Sequence, residues 1–477
     1  MKIKESFLRA LIIILGFLII PGVQSQQNEK FILNGTISGL IEKNIVFIRL
    51  NGHKEIKVKE LQTDKYGSFT ISLDEMLPIG QYRLRIDPGK QSKLLDFLIT
   101  DNNLSFTTDI DFIIDSIHFE NSEINAAWYN YFRTKENFES RLSILEHLMG
   151  IYPKDERFYP EIIKEFNLLQ GERDIAINKI SSEFSGTLLE AYIRADQPPH
   201  VNPFISSEER GDLFRRSFFK NIDFTDTMLL RTDIFPGKVL SYIMLYRNPQ
   251  LNQEQQALEF IRATDNFLPL AMVQPVVYNY LLEYTISGFE QIGLEKVLQH
   301  IAEHYQVDET CVSDQGAGEL QRRIEGYRKL APGNKAPDIN TKDINNNDFK
   351  LDKSKSEHIL IVFWASWCPH CNVILPEIKK LADQLNAGYS KNPKLQVVSV
   401  SIDHEKEDYQ EFLKENGMDD KALKNYWINI CDYKAWDGKI ANDYYLYATP
   451  TMVLLGKDGT ITVKPSNIQE LKKSLGL

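Results

Sequence analysis

The sequence predicts a multidomain chain: an N-terminal all-β domain, an α-helical middle domain and a C-terminal α/β domain. Three observations carry this. Short alternating apolar segments separated by Gly, Asn and Asp fill the region from about Phe31 to Ile114. Apolar residues spaced three and four apart dominate after about Asn121, and strand-like and helix-like segments alternate after about residue 331. The length agrees, because 477 residues exceed one ordinary domain and suggest about three.

The first element is a targeting pattern. Lys2, Lys4 and Arg9 precede an apolar block, Ala10 to Ile20, which Pro21 and Gly22 break before Val23-Gln24-Ser25. A basic start, a short apolar core and a small-x-small ending describe a secretory signal peptide over residues 1–25. The block is shorter than the roughly 18 residues a membrane span needs. An uncleaved N-terminal anchor is the alternative, and only then does the chain contact a membrane. The expected location is the periplasm or cell envelope.

Composition sets the remaining bounds. Hydrophobic residues make up 43% and charged residues 25%, as in globular proteins. The formal net charge is -11 without a long Lys/Arg run, which argues against nucleic acid as a partner. Only four cysteines occur, at 311, 368, 371 and 431, too few for a disulfide scaffold in a chain this long.

Residues 29–116 read as the β-rich domain. "FILNGTISG", "NIVFIRL", "KEIKVKEL", "GSFTISL", "GQYRLRI" and "LLDFLIT" are short, β-branched or aromatic, and bounded by turn residues. His53 and His118 stand singly and read as surface or packing residues. Residues 121–330 read as helices, punctuated by Pro198-Pro199 and Pro236-Gly237. Trp128, Tyr129, Tyr131 and Phe132 read as core, with an aromatic substrate groove as the alternative.

"APGNKAPDIN", starting at Ala331, opens the last domain, 331–477. "HILIVFWAS" is a buried strand, Pro369 to about Leu385 a helix, "KLQVVSVSI" a strand and "KEDYQEFLKENG" a helix. "ATPTMVLLG" and "GTITVKP" form a hairpin at Lys457-Asp458-Gly459. Ser466 with Gln469 reads as a capping box for a final helix whose apolar side holds Leu471 and Leu475. In "SIDHEKED", Asp403 and His404 read as a solvated helix start.

The chemistry sits in "FWASWCPHC". Cys368 ends a strand and opens a helix. Pro369 suits the first helical position, since its φ is preset and it lacks the N–H that would be orphaned there. The Cys368 sulfur thus faces the positive end of a helix dipole and free N–H groups, which favour a thiolate. His370 adds to this as a cation or as an N–H donor. Cys371 lies one turn on and less exposed, at a spacing a Cys368–Cys371 disulfide can close. Thiolates in such motifs span pKa values of about 3.5 to 7. Downstream, Thr449-Pro450 precedes an apolar strand, and an X-Pro bond there can be cis.

"FWASWCPHC" together with "YATPTMVLLGKDG" resembles the thioredoxin fold, specifically the exported TlpA-like and ResA-like thiol-disulfide oxidoreductases, over roughly Ala331 to Leu477. The resemblance implies Cys368 as nucleophile and Cys371 as resolving thiol, forming the redox-active disulfide. It implies Pro450 as the cis-proline facing the sulfurs, Thr449 as the residue offering backbone groups to a substrate strand, Trp367 as a flank and Pro376 as the proline within the active-site helix. It also implies protein thiol or disulfide substrates and a redox partner protein in the cell envelope, with no cofactor and no metal. The N-terminal region resembles the β-rich domain placed ahead of thioredoxin domains in exported proteins of bacteroidete-type bacteria. Two positions depart from the pattern. Val362 stands where thioredoxin has a buried aspartate, and Ile374 where ResA-like proteins have a glutamate, while the Pro-His pair is that of DsbA-like oxidants. A reductase is the default and the direction stays open.

Rival readings meet obstacles. A zinc site needs further ligands at short spacing, and a c-type haem needs CxxCH, where residue 372 is Asn. A purely structural disulfide and a peroxidase are weaker fits. Cys311 and Cys431 are either separately buried or paired with each other. A different class of function also stays open: a partner-binding cell-envelope protein with a vestigial or regulatory redox domain.

Overall fold

The computed structural model describes residues 30–87, 92–101, 103–308, 310, 315–352, 356–388, 393–419, 423 and 425–477. The expected signal peptide and Cys311 lie outside the described residues. The chain divides into two compact units, Met1–Phe47 with Lys57–Ala126, and Ile48–Ile56 with Ala127–Leu477.

The N-terminal strands are β1 (Phe31–Ser38), β2 (Asn44–Asn51), β3 (Lys54–Gln62), β4 (Ser68–Leu73), β5 (Gly80–Ile86), β6 (Lys93–Ile99), β7 (Asn103–Asp109) and β8 (His118–Phe119). They form two four-stranded sheets, ordered β4-β1-β7-β8 and β3-β2-β5-β6. Alternation does the work: Phe31, Leu33 and Ile37 of β1 are all buried, every second or fourth residue facing in. At Gly35 a Cβ would stand 2.3 Å from the Phe69 ring, so aromatic packing requires glycine there. The six segments named from sequence all form strands; β7 and β8 add to them, β7 pairing in parallel with β1.

The middle of the chain is helical: α1 (Glu123–Ile151), α2 (Tyr159–Glu183), α3 (Leu188–Asp196), α4 (Ser207–Ser217), α5 (Ile234–Met244), α6 (Gln253–Ala271), α7 (Pro275–Gln291), α8 (Glu295–His304) and α9 (Gln315–Lys329). Capping residues start several of them: reciprocal boxes at Ser206/Glu209 and Asn252/Gln255, and Thr187 accepting from the Glu190 amide. Of the four aromatics expected in the core, Trp128, Tyr129 and Tyr131 are buried and Phe132 is half-buried. No helix among the described residues is long and apolar enough to cross a membrane.

The C-terminal region begins with a short hairpin, β9 (Asn340–Lys342) and β10 (Asp348–Lys350). Then come β11 (His358–Trp364), α10 (Pro369–Asn386), β12 (Leu395–Ser401), α11 (Lys406–Glu415), β13 (Trp427–Cys431), α12 (Lys439–Asp443), β14 (Thr451–Gly456), β15 (Ile461–Val463) and α13 (Ile468–Ser474). One five-stranded sheet runs β13-β12-β11-β14-β15. β12 is parallel to β11 and β14 antiparallel to it. This topology builds the site. The C-terminal end of β11 lies beside the N-terminal end of β14, with Phe363 opposite Thr451.

Two sequence expectations need correction. The last helix is capped by Asn467, whose Oδ1 accepts from the Glu470 amide at 2.9 Å. Ser466 instead donates from its amide and hydroxyl to Glu470 Oε2, so the reciprocal arm lies one residue earlier than in an ordinary box. Asp403 is not a solvated helix start: it is 1% exposed, while His404 beside it is exposed.

Candidate active site

The central strand β11 delivers the site. It ends at Trp364, which is buried, donates from its indole Nε1 to Ser399 Oγ at 2.8 Å and packs on Phe412 at 4.7 Å between centroids. The chain then turns over residues 365–368, with the Cys368 amide donating to the Ala365 carbonyl at 3.2 Å. α10 starts immediately after.

Asp403 fixes that turn. Its carboxylate accepts from the Ser366 amide at 3.0 Å, the Ser366 hydroxyl at 2.7 Å and the Ser401 hydroxyl at 2.6 Å. β11 and β12 are parallel neighbours. The residue just past β12 therefore reaches the loop just past β11. Sequence reasoning missed this pair, and its one signal is an acid placed directly after a buried strand.

Cys368 is the N-cap of α10, with Pro369 at the first helical position. Its sulfur accepts from the Cys371 amide at 3.4 Å, and its thiol donates to the Thr449 carbonyl at 3.5 Å. The Thr449–Pro450 bond is cis. Cys368, Cys371, Thr449 and Pro450 thus converge, although about 80 residues separate the two motifs. Trp367 stands 56% exposed beside them, and Pro369 and His370 are exposed as well. Cys368 itself keeps only 5% of its surface and Cys371 none. The Cys368 sulfur is approachable from a narrow solid angle.

Electrostatics separate the two thiols. Burial opposes charge on Cys368. Hydrogen bonds from the Cys371 thiol, the Thr449 side chain and the backbone N–H groups of Cys371 and His370 outweigh it and hold Cys368 below the ordinary thiol value. His370 contributes here through its backbone amide. Burial, and then the claim of the Cys368 sulfur on its proton, push the Cys371 thiol up to about 12. Neither sulfur is bonded to another cysteine among the described residues.

No carboxylate comes from the two positions where related patterns carry one. Val362 is fully buried within β11, Ile374 is half-buried on α10, and Glu377 is exposed. Cys431 is a half-buried free thiol whose Sγ lies 3.6 Å from the Asp403 carbonyl. Among the described residues no three His, Cys, Asp or Glu side chains gather as a metal-ligand set.

Comparison with known proteins agrees with this geometry. A thioredoxin-like family model matches residues 356–461. A thioredoxin-like protein of Haemophilus influenzae is 31% identical over 121 residues, 25% of this chain and 61% of its own length, so the chain spans less than two thirds of that relative. The sporulation thiol-disulfide oxidoreductase A of Bacillus subtilis is 27% identical over 136 residues, covering 28% of this chain and 74% of its own. The thiol-disulfide oxidoreductase ResA of Bacillus cereus is 26% identical over 157 residues, covering 31% and 76%. Among solved structures, a thioredoxin-like protein from Bacteroides caccae is 21% identical, covering 59% of this chain and 97% of its own, with a TM-score of 0.39. A thiol-disulfide oxidoreductase from Bacteroides fragilis is 23% identical, covering 30% and 97%, with a TM-score of 0.25. The C-terminal part of this chain is a thioredoxin-like domain, related in sequence to the ResA thiol-disulfide oxidoreductases.

Proposed function

We propose that the chain is an exported thiol-disulfide oxidoreductase that exchanges disulfides with protein substrates in the cell envelope, by default as a TlpA-like reductase. The observation that carries this is the Cys368 sulfur at a helix N-terminus, 3.5 Å from the carbonyl that precedes a cis-proline. In the reducing direction the Cys368 thiolate attacks one sulfur of a substrate disulfide. A Cys368–substrate bond forms and the first substrate sulfur leaves as thiolate, taking up a proton. Cys371 then loses its proton and attacks Cys368 Sγ, releasing the second substrate thiol. Two electrons have passed to the substrate, Cys368 and Cys371 are joined, and a redox partner protein must reduce them again. The reverse sequence oxidises a dithiol.

Trp367, Pro369, His370 and Thr449 serve as support for the pair, and Pro450 as the ring against which the substrate strand lies. The proposed domains are 29–116, 121–330 and 331–477, following a signal peptide over 1–25. The basic-then-apolar pattern of residues 2–22 supports export. The test is turnover of a protein disulfide by wild type and by Cys368→Ala. Equal rates would reject the reading, whereas Cys371→Ala should trap substrates as mixed disulfides.

A second reading, a partner-binding envelope protein with a vestigial redox domain, draws on the apolar Val362 and Ile374. An alkylation profile placing Cys368 at the value of a free thiol would favour it.

A further inference from the structure

The segment that carries Thr449 and Pro450 is gripped from outside the five-stranded sheet. A Cβ on Gly326 of α9 would stand 2.7 Å from the Cβ of Tyr445, so the helix backbone comes this close only at a glycine. Tyr445 has φ +49°, the left-handed region, which a bulky residue keeps only where its surroundings over-determine it. α9 supplies those surroundings. Lys329 Nζ donates to the Tyr445 hydroxyl at 2.8 Å, and Arg322 donates to Asn442 Oδ1 at 3.0 Å.

Two residues further on, the Tyr447 hydroxyl bonds to that of Tyr327. Tyr327 donates to Glu290 Oε1 at 2.8 Å, and Arg323 bonds the same carboxylate while its guanidinium lies 5.5 Å from the Tyr447 ring centroid. Tyr447 is two residues from Thr449, whose carbonyl meets the Cys368 thiol. The anchor is therefore in the helical region, and the group it anchors is part of the exchange site.

We propose that α9 is a positioning element for disulfide exchange: Gly326, Tyr327 and Lys329 hold the Tyr445–Tyr447 turn and thereby fix Thr449 and Pro450 against Cys368. This rests on the oxidoreductase reading and gives the helical region a part in it. Displacing the turn withdraws the Thr449 contacts from the Cys368 sulfur and moves the strand edge on which a substrate lies. Both the protonation of Cys368 and the rate of exchange should respond.

Glycine substitutions on one helix separate this from general stability. Gly326→Ala drives a methyl into Tyr445. Gly318→Ala, on the same helix with nothing within 4 Å of the new Cβ, makes the same change in helix propensity without it. Tyr327→Phe removes the hydroxyl link and adds no volume. The measurements are kcat/KM with insulin as disulfide substrate and the pH midpoint of Cys368 alkylation by iodoacetamide. Expected for Gly326→Ala is a loss on the order of tenfold in kcat/KM and a midpoint displaced from that of wild type, because the Thr449 carbonyl that accepts the Cys368 proton and the Thr449 side chain both move. Tyr327→Phe should shift both in the same direction, and Gly318→Ala should stay within about twofold of wild type. If Gly326→Ala and Tyr327→Phe both match Gly318→Ala in midpoint and rate, the proposal is overturned. A wild type that leaves insulin intact would sink the oxidoreductase reading instead. The alkylation midpoint would still decide the role of α9, because it reads the sulfur without a substrate.

Discussion

Replacing Asp403 by alanine should loosen the active-site turn while leaving both cysteines in the sequence. The carboxylate holds three donors: the Ser366 amide, the Ser366 hydroxyl and the Ser401 hydroxyl, at 2.6 to 3.0 Å. A hydrogen bond to a charged acceptor contributes about 1.5–3 kcal/mol, and a buried donor left without a partner costs about 1–3. The hydroxyls can rotate to other acceptors, but the Ser366 amide is fixed by the backbone. Counting the amide at about 1–3 kcal/mol and one hydroxyl at about 1 kcal/mol gives roughly 2–4 kcal/mol. Asp403→Asn keeps one acceptor oxygen and turns an amide N–H₂ towards a donor, so about half that loss is expected. The assay is hydrogen exchange of the peptide spanning residues 363–368, read by mass spectrometry. A loss of 2–4 kcal/mol in local opening energy means roughly 30- to 700-fold faster exchange of the Ser366 amide. Exchange within about threefold of wild type in Asp403→Ala would show that the turn is held by something else.

Other outcomes follow from the same contacts. Substoichiometric iodoacetamide at pH 8 should label Cys368 and spare Cys371. A thiol at about 12 instead of 9.0 carries about a thousandfold less thiolate, and peptide mapping that found equal labelling would contradict the assigned roles. Asn386→Ala should lower stability by about 2–3 kcal/mol in urea unfolding, because the buried amide accepts from the Lys394 and Leu395 amides and donates to the Leu395 carbonyl. Burial alone would raise the Asp196 carboxyl, but Lys135 and Lys238 outweigh it and hold the group below the usual carboxylate range. Its stabilising effect is thus present above the unfolded value near 3.8 and is lost as pH falls through the lower folded value; acid unfolding followed by near-ultraviolet dichroism should show this, and Lys135→Met should shrink it.

The strand-to-helix junction at Cys368 is legible in the sequence because every cue is local. A buried β-branched run, a cysteine cap and a proline at the first helical position sit within a dozen residues. Thr449-Pro450 is legible for the same reason. β13 is harder, since "WINIC" is five residues long and carries no alternation that a loop could not also show. Asp403 was hidden by its neighbours: an acid inside "DHEKED" looks solvated until the parallel pairing of β11 and β12 turns it inward. The contact between Gly326 and Tyr445 has no local signature. It joins residues more than a hundred positions apart, and a glycine inside a helix reads as a weakness until the chain that presses against it is known.

In the proposed reaction Cys371 must lose its proton before it resolves a mixed disulfide, and the apolar Val362 and Ile374 offer no acceptor for it. The causes of its high value divide in two. Burial is permanent, but the hydrogen bond to the Cys368 sulfur and the repulsion from its charge last only while Cys368 is a thiolate. Once Cys368 is bonded to a substrate sulfur, both disappear. The bonds from the Ala365 backbone and the Thr449 side chain, which favour a thiolate at Cys371, can persist. Formation of the mixed disulfide therefore lowers the barrier to its own resolution, and in the proposed reaction the Cys371 proton passes to the substrate thiolate just released. The same sharing of one proton between two sulfurs stabilises the dithiol over the disulfide, which raises the reduction potential. A site built this way suits oxidation of a dithiol as readily as reduction of a disulfide.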